Sequence, residues 1–184
     1  VPEPRPDSHC SFCGAGYPAD VGWPRRCAVC GNVAYRNPLP VAVAVLPVRS
    51  RPVDGREQPP GLTVIRRTIE PRLGHLALPG GFIDHGEDWR QAVVRELHEE
   101  TCIEAECDQV RLADVRSSPS GHLLVFGLLP ERPVEELPPS VPTEETEGWE
   151  VLDTPAELAF PLHTEVARKW FEGGYAPGRH RSHG

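Results

Sequence analysis

Methionine is absent from all 184 residues, and lysine occurs once, as Lys169. The first absence implies that the chain as written begins after processing or trimming. The second leaves arginine to carry the remaining basic side-chain charge. With abundant Pro, Ala and Gly, that codon-level bias implies a GC-rich bacterial source. A basic excess is also missing: 19 Lys and Arg against 27 Asp and Glu give a formal net charge of −8. That balance argues against a general nucleic-acid or anionic-membrane binder, although a few local arginines and a divalent cation can still hold a small phosphorylated molecule. No apolar run approaches the roughly 20 residues that span a bilayer. The best, "VAVAVLPV" at 41–48, is expected to be a buried strand. The opening "VPEPRPDSHC" lacks a basic-then-apolar layout, so no signal peptide is expected and a cytoplasmic location is inferred. Internal repeats are absent.

What remains is 39% hydrophobic and 25% charged, enough for one hydrophobic core and a small appendage. The appendage is marked by cysteine. Cys10 and Cys13 form one Cys-x-x-Cys, Cys27 and Cys30 another, and each is followed by glycine ("CSFCGAG", "CAVCGNV"). Two such knuckles suit tetrahedral thiolate coordination of one Zn²⁺. A pair of disulfides or a redox dithiol is the alternative, disfavoured because nothing suggests export. His9 is a bystander beside four thiolates, and Cys102 and Cys107 are expected to be buried small hydrophobes. Residues 1–37 are too few for a core of their own and fit a zinc ribbon.

From residue 38 onward, strands and helices mix without regular βαβ units, an α/β pattern. "GLTVIRR" is expected to neighbour "VAVAVLPV", "GHLALPGGFID" to be short extended pieces around a turn, and "CDQVRLADV" and "GHLLVFGLL" to be strands joined by "RSSPSG". "GWEVL" is expected as a last strand. "DTPAELA" carries a helix-start signature, with Thr154 as cap, Pro155 next and Glu157 completing a capping box. "PLHTEVARKWFEGG" reads as a final helix, and 173–184 as a flexible tail.

The informative segment is "GFIDHGEDWRQAVVRELHEET", 81–101. A helix is expected from about Asp88 to Thr101 with an acidic first turn. At about 100° per residue, Glu96, Glu99 and Glu100 fall within an arc of roughly 100°, beside the apolar face of Val93, Val94 and Leu97. Like charges so crowded are unfavourable unless something positive sits among them. The segment is either a solvated acidic face or a site for a hard cation, Mg²⁺ or Mn²⁺, held by oxygen ligands.

The wider pattern resembles the signature of the Nudix hydrolases: a glycine, five residues, a glutamate, seven residues, then Arg-Glu-apolar-x-Glu-Glu-x-Gly-apolar. Gly81, Glu87, Arg95, Glu96, Leu97, Glu99, Glu100 and Ile103 stand at its positions, with the usual "LPGG" lead-in upstream. Cys102 replaces the second glycine, so a reshaped turn is expected there. Leu76 stands where many relatives have tryptophan. The resemblance implies an α/β/α sandwich around a mixed sheet over 38–172, and Mg²⁺- or Mn²⁺-dependent hydrolysis of a nucleoside diphosphate linked to another group X. It places Glu96, Glu99 and Glu100 as metal ligands, the Gly81 carbonyl as a completing ligand, and Arg95 and Glu87 as the ion pair supporting loop and helix. A late-loop glutamate often joins them; of Glu144, Glu145 and Glu147, the last is favoured by its place just before a strand. Arg66 and Arg67 are phosphate-contact candidates, and Trp149, Phe160 and Phe82 candidate shelves for a base.

A zinc ribbon before such a domain resembles small FAD or ADP-ribose pyrophosphatases and, more distantly, NADH pyrophosphatases, whose aromatic-rich motif is missing from "RSSPSGHLLVF". The implied partner is a small nucleoside diphosphate derivative, with no nucleic acid or membrane, and the ribbon is expected to brace the domain or a homodimer. A non-catalytic ligand sensor or partner-binding module is the alternative reading.

Overall fold

The computed structural model describes residues 7–52 and 54–175. The chain divides into two compact units, Val1–Pro38 and Leu39–Gly184. Among the described residues no helix is long and apolar enough to cross a membrane. Most of the tail expected over 173–184 lies outside the described residues.

In the first unit, β1 (Arg25–Arg26) pairs antiparallel with β2 (Val33–Ala34). Two turns of the same design precede and interrupt this pair. The Gly14 N–H donates to Cys10 O at 2.9 Å and the Gly31 N–H to Cys27 O at 2.9 Å. Gly14 and Gly31 have φ of 74° and 76°, the left-handed region where a Cβ is strained. The glycine after each Cys-x-x-Cys is therefore a backbone requirement.

The second unit contains β3 (Leu39–Val45), β4 (Pro47–Arg49), β5 (Gly61–Arg67), β6 (Leu76–Ala77), β7 (Gly80–Phe82), α1 (Trp89–Thr101), β8 (Arg111–Ser117), β9 (His122–Leu128), β10 (Arg132–Pro133), β11 (Thr146–Leu152) and α2 (Pro161–Phe171). One sheet has the order β7-β3-β9-β8, with β3 parallel to β9 and the other pairs antiparallel. The other runs β10-β4-β5-β11, with β6 also on β5 and only the β10–β4 pair parallel. This is the α/β arrangement of mixed sheets flanked by helices expected from the sequence. The run "VAVAVLPV" serves both sheets, because β3 passes through Leu46 into β4.

Alternation along β3 divides the core. Val43 and Val45 pack with Leu62, Val64, Phe126 and Val166 of α2; Ala42 and Ala44 pack with Val93 and Leu97 of α1 and with Ile103. Small residues lie under α1 for a reason: a Cβ on Gly127 of β9 would stand 2.8 Å from Val93 Cγ2. The close approach fixes the depth of α1, and so the height at which its acidic edge meets β7. Burying Val93 and Leu97 completely contributes about 1.5–3 kcal/mol each.

Four expectations are corrected. No helix begins at Thr154. Ala159 N–H donates to Leu76 O at 2.6 Å and Leu158 N–H to Thr164 Oγ1 at 2.9 Å, so pairing against β6 overrides the local cap signal and α2 starts at Pro161. The first turn of α1 is not acidic; Asp88 is instead the N-cap, its Oδ1 accepting from Arg90 N at 2.9 Å. The helix C-terminus is not reshaped at Cys102: the cysteine itself adopts φ 60°, ψ 13°, and its N–H donates to His98 O at 2.7 Å. Holding a side chain there costs about 1 kcal/mol. Nor are the two isolated cysteines buried, since Cys102 is exposed and Cys107 half-buried. On β8, Asp114 gathers Arg116, Lys169 and Tyr175 at 2.9, 3.1 and 2.8 Å. Burial opposes its charge, but these donors overcome that and hold its carboxyl down at about 2, fastening the end of α2 to the sheet.

Candidate active site and thiol cluster

The acidic edge of α1 lies against β7. Glu96 and Glu100 are buried, whereas the Glu99 side chain is 55% exposed. The "LPGG" glycines make the approach geometrically feasible. A Cβ on Gly80 would stand 2.9 Å from Val43 Cα of β3, and one on Gly81 would stand 2.5 Å from both Glu96 carboxylate oxygens. With those positions bare, the Gly80 N–H donates to Glu100 Oε2 at 2.8 Å.

Arg95 organises the cluster. All five of its guanidinium N–H donors are engaged: Nε and Nη2 hold Glu87 at 2.8 and 3.0 Å, Nη1 holds Glu96 at 2.7 Å and Glu99 at 3.0 Å, and Nη2 reaches Phe82 O at 3.0 Å. Glu87 also accepts from Asp84 N at 3.0 Å, so one arginine ties loop, strand and helix together. Hydrogen bonding from Arg95 holds Glu87 below the usual carboxylate range. Burial pushes Glu96 up despite Arg95. Burial raises Glu100 further, to about 8, and the negative charges of Glu96 and Glu145 add to it. Two buried carboxylates whose charge the interior opposes are chemically suited to a divalent cation, and oxygen donors suit Mg²⁺ or Mn²⁺. With Arg95 lodged among them they stand apart: among the described residues, only the four-cysteine group brings three or more such ligand atoms within 4.8 Å of one another.

A cleft of about 930 Å³ opens over this edge, lined by Glu96, Glu99 and Glu100 and, from across it, by Arg67, Glu144 and Glu145. Glu147 is not among the lining residues. A register shift between Thr146 and Trp149 turns the Thr146 hydroxyl inward to Glu100 O at 3.0 Å, and Glu147 faces outward to Arg66 at 3.9 Å. Arg66 is likewise outside, held by Glu150 at 2.7 Å and Gly74 O at 3.0 Å. Its neighbour Arg67 points the other way and is buried. Its Nε donates to Pro71 O at 2.9 Å and its guanidinium stacks 5.3 Å from the Phe160 ring centre, leaving Nη1 and Nη2 without a partner among the described residues. Arg67, Gly80, Gly81 and Phe82 also border a second cavity of about 470 Å³, whose deeper walls are Leu124, Phe160 and His163. Trp149 packs into the core instead. Sequence reasoning passed over His163, because nothing near it in the chain distinguishes a histidine on a helix face from a core residue.

In the first unit, Cys10 and Cys30 Sγ stand 3.7 Å apart, and Cys13 and Cys27 Sγ 3.6 Å. Disulfide sulfurs lie near 2.05 Å, whereas a zinc tetrahedron with 2.3 Å bonds has edges of about 3.8 Å. The geometry fits a single Zn²⁺. Backbone N–H groups of Cys13 and Phe12 lower the Cys10 thiol to about 6, and those of Cys30 and Val29 lower Cys27 in the same way, favouring thiolates at these two. At Cys30 the backbone of Asn32 is outweighed by burial and the neighbouring sulfurs, which push the thiol up to about 12. Cys27→Ser is expected to abolish stoichiometric zinc and make the first unit protease-sensitive, while the second unit, built from other residues, keeps its unfolding midpoint. Metal analysis and limited proteolysis check this; a variant that keeps one zinc per chain would overturn it.

Residues 38–173 match the profile described as the NUDIX domain. An ADP-ribose pyrophosphatase of Methanocaldococcus jannaschii is 33% identical over 119 residues, 61% of this chain and 68% of that protein. A crystal structure of a NUDIX hydrolase from Nitrosomonas europaea superposes with a TM-score of 0.65 at 22% identity, covering 90% of each chain. The NUDIX domain of Shewanella oneidensis NrtR, complexed with ADP ribose, superposes at 0.54 with 20% identity over 75% of this chain and 91% of that one.

Proposed function

This chain belongs to the NUDIX family, and on that premise we propose that it hydrolyses the pyrophosphate bond of ADP-ribose, FAD or a similar nucleoside diphosphate derivative, releasing a nucleotide and a phosphorylated X. Membership itself carries phosphoanhydride hydrolysis of a nucleotide-linked substrate with a divalent cation. The observation that supports the finer reading is the continuity of two unlike cavities: an acidic cleft for a metal-bound diphosphate joins an apolar annex through Arg67, Gly80, Gly81 and Phe82. The name of the Methanocaldococcus relative points to the same substrate class.

Glu96, Glu99 and Glu100, with the Gly81 carbonyl, are the proposed holders of Mg²⁺ or Mn²⁺. The chemistry such a cation supplies when bound is neutralisation of pyrophosphate charge and activation of water. Arg95 and Glu87 hold the acidic edge against β7 in register. Arg67, its Nε fixed by Pro71, offers Nη1 and Nη2 to a phosphate at the junction of cleft and annex. Glu145, exposed and lining the same cleft as Glu96 and Glu100, is the proposed acceptor of the attacking water's proton in place of Glu147, which does not line it. Glu145→Gln is expected to lower kcat roughly tenfold or more, and Glu147→Gln to leave it within about twofold, as for loss of an exposed ion pair. The reverse order would return the role to Glu147. The substrate class is tested by offering ADP-ribose, FAD, NADH, nucleotide sugars and nucleoside triphosphates with and without Mg²⁺, products being identified by mass. Preference for triphosphates, or binding of ADP-ribose without cleavage, would overturn the reading.

A further inference from the structure

The annex contains a buried side chain that the hydrolysis does not use. His163, in the first turn of α2, is 5% exposed, and its Nδ1 is shut off from solvent with no partner among the described residues. Its ring packs edge-to-face against Phe126 and Phe160, with centroids 5.8 and 5.1 Å away. These contacts lock its orientation but offer no oxygen or nitrogen. Burial, helped by the charge of Arg67, pushes His163 down to about 3, so the imidazole is neutral at working pH and carries a single ring hydrogen. His122 at the annex mouth is unlike it: its Nδ1 is already matched to Ser120 Oγ at 2.9 Å. His163 lines the annex, and of its two ring nitrogens only Nδ1 is both shut off from solvent and without a partner among the described residues, so Nε2 is the nitrogen that reaches open space and Nδ1 is best left bare. That puts the hydrogen on Nε2.

The remaining walls describe what would meet that hydrogen. Val41, Leu124, Leu162 and the Phe160 ring make the annex apolar, and Phe82 and His122 stand at its mouth, their ring centres 5.9 Å apart and tilted by 35°. The volume, about 470 Å³, falls in the range of small-molecule sites. Mainly apolar walls, with His163 a polar group set beside the Phe160 ring and Arg67, Ser118, Ser120 and His122 completing the lining, suit a flat heteroaromatic ring that presents an acceptor nitrogen.

Resting on the function proposed above, we propose that the annex takes the nucleobase of the substrate and that His163 selects it, its Nε2–H donating to a ring nitrogen of an adenine-type base. Arg67, shared by both cavities, then sits where base-bearing nucleoside and diphosphate meet. His163 is a specificity-determining residue, remote from the scissile bond, so it governs affinity and leaves the chemical step alone.

The test uses the full chain with Mg²⁺, measuring AMP and ribose 5-phosphate binding by calorimetry in wild type, His163→Leu and His163→Gln. Leucine suits the apolar surroundings and removes the partnerless nitrogen. It is expected to weaken AMP binding roughly tenfold to a hundredfold with ribose 5-phosphate unchanged. Glutamine, whose amide reaches the Nε2 position, is expected to restore most of the affinity. In turnover of ADP-ribose the leucine variant should raise KM with kcat retained. If His163→Leu fails to fold, His163→Gln against His163→Asn carries the same comparison, because the asparagine amide is too short to reach the base. Wild-type AMP affinity in the leucine or asparagine variant overturns the proposal, as does an equal loss for AMP and ribose 5-phosphate, or no AMP binding by wild type. The base site stands, and the hydrolytic reading alone falls, if AMP binding depends on His163 as described but no diphosphate is cleaved.

Discussion

Glu99→Gln is expected to lower turnover of the best substrate at least a hundredfold, about 3 kcal/mol of transition-state stabilisation, while leaving the fold intact. Glu99 is the exposed member of the acidic edge, and among the described residues its side chain bonds only to Arg95 Nη1, at 3.0 Å. Glutamine keeps the size and helix compatibility of glutamate, and its carbonyl still accepts that N–H. What disappears is the charge a hard cation requires. The exposed i,i+4 pair with Arg95 is worth little to stability, so the melting temperature should barely move. This separation of effects makes Glu99 more informative than its buried neighbours. Wild-type turnover in the variant, or full turnover of the wild type in excess chelator, would reduce the acidic edge to a solvated helix face.

Removing the cation is expected to make the protein less stable as the pH rises. Burial raises Glu100 to about 8 from an ordinary value of 4.5, and Glu96 is raised in the same sense. The folded chain therefore keeps a proton on Glu100 at pH values where the unfolded chain has lost it. Stability is complete below about pH 4.5 and declines as the pH rises toward 8, by a total on the order of 4 kcal/mol. A bound divalent cation opposes that decline, because it binds the folded chain alone and adds stability by mass action. Urea unfolding at about pH 5 and about pH 8, in chelator and in Mg²⁺, should show two curves that diverge with pH. Glu100→Gln should flatten the chelated curve. A chelated wild type equally stable at both pH values would mean that the Glu100 carboxylate is not confined in a low-dielectric site.

The residues of the acidic edge were legible because their relation is local. Glu96, Glu99 and Glu100 share a helix, and helical period alone places them together beside the buried face. The paired glycine knuckles were legible for the same reason. Residues whose role depends on strand parity were not. Arg66 and Arg67 are neighbours in sequence, and only the pairing of β5 with β6 and β11 decides that Arg67 faces the cleft. Glu147 stands just before the strand expected from the sequence, yet the bulge between Thr146 and Trp149 sends it outward. Thr154 carried a sound local cap signal, defeated by the long-range bond from Ala159 to Leu76. The annex is assembled from β3, β5, β7, β9, the turn before β9 and α2, so no window of sequence contains it.

Arg95, with every donor engaged, has a bearing on how quickly the site can load. The carboxylates are not waiting as a floppy acidic fringe to be gathered by an arriving ion. The guanidinium already stands in as a resident positive charge, and the loop carrying Glu87 is anchored with it. On the proposed metal site, ion capture would be an exchange of partners, Glu96 and Glu99 giving up their Nη1 contacts while Glu87 and Phe82 keep theirs. No segment would have to become ordered at that moment. An Arg95→Lys chain, with three donors on a point charge in place of a planar fork, would leave the loop and the carboxylates to find one another anew at each binding event.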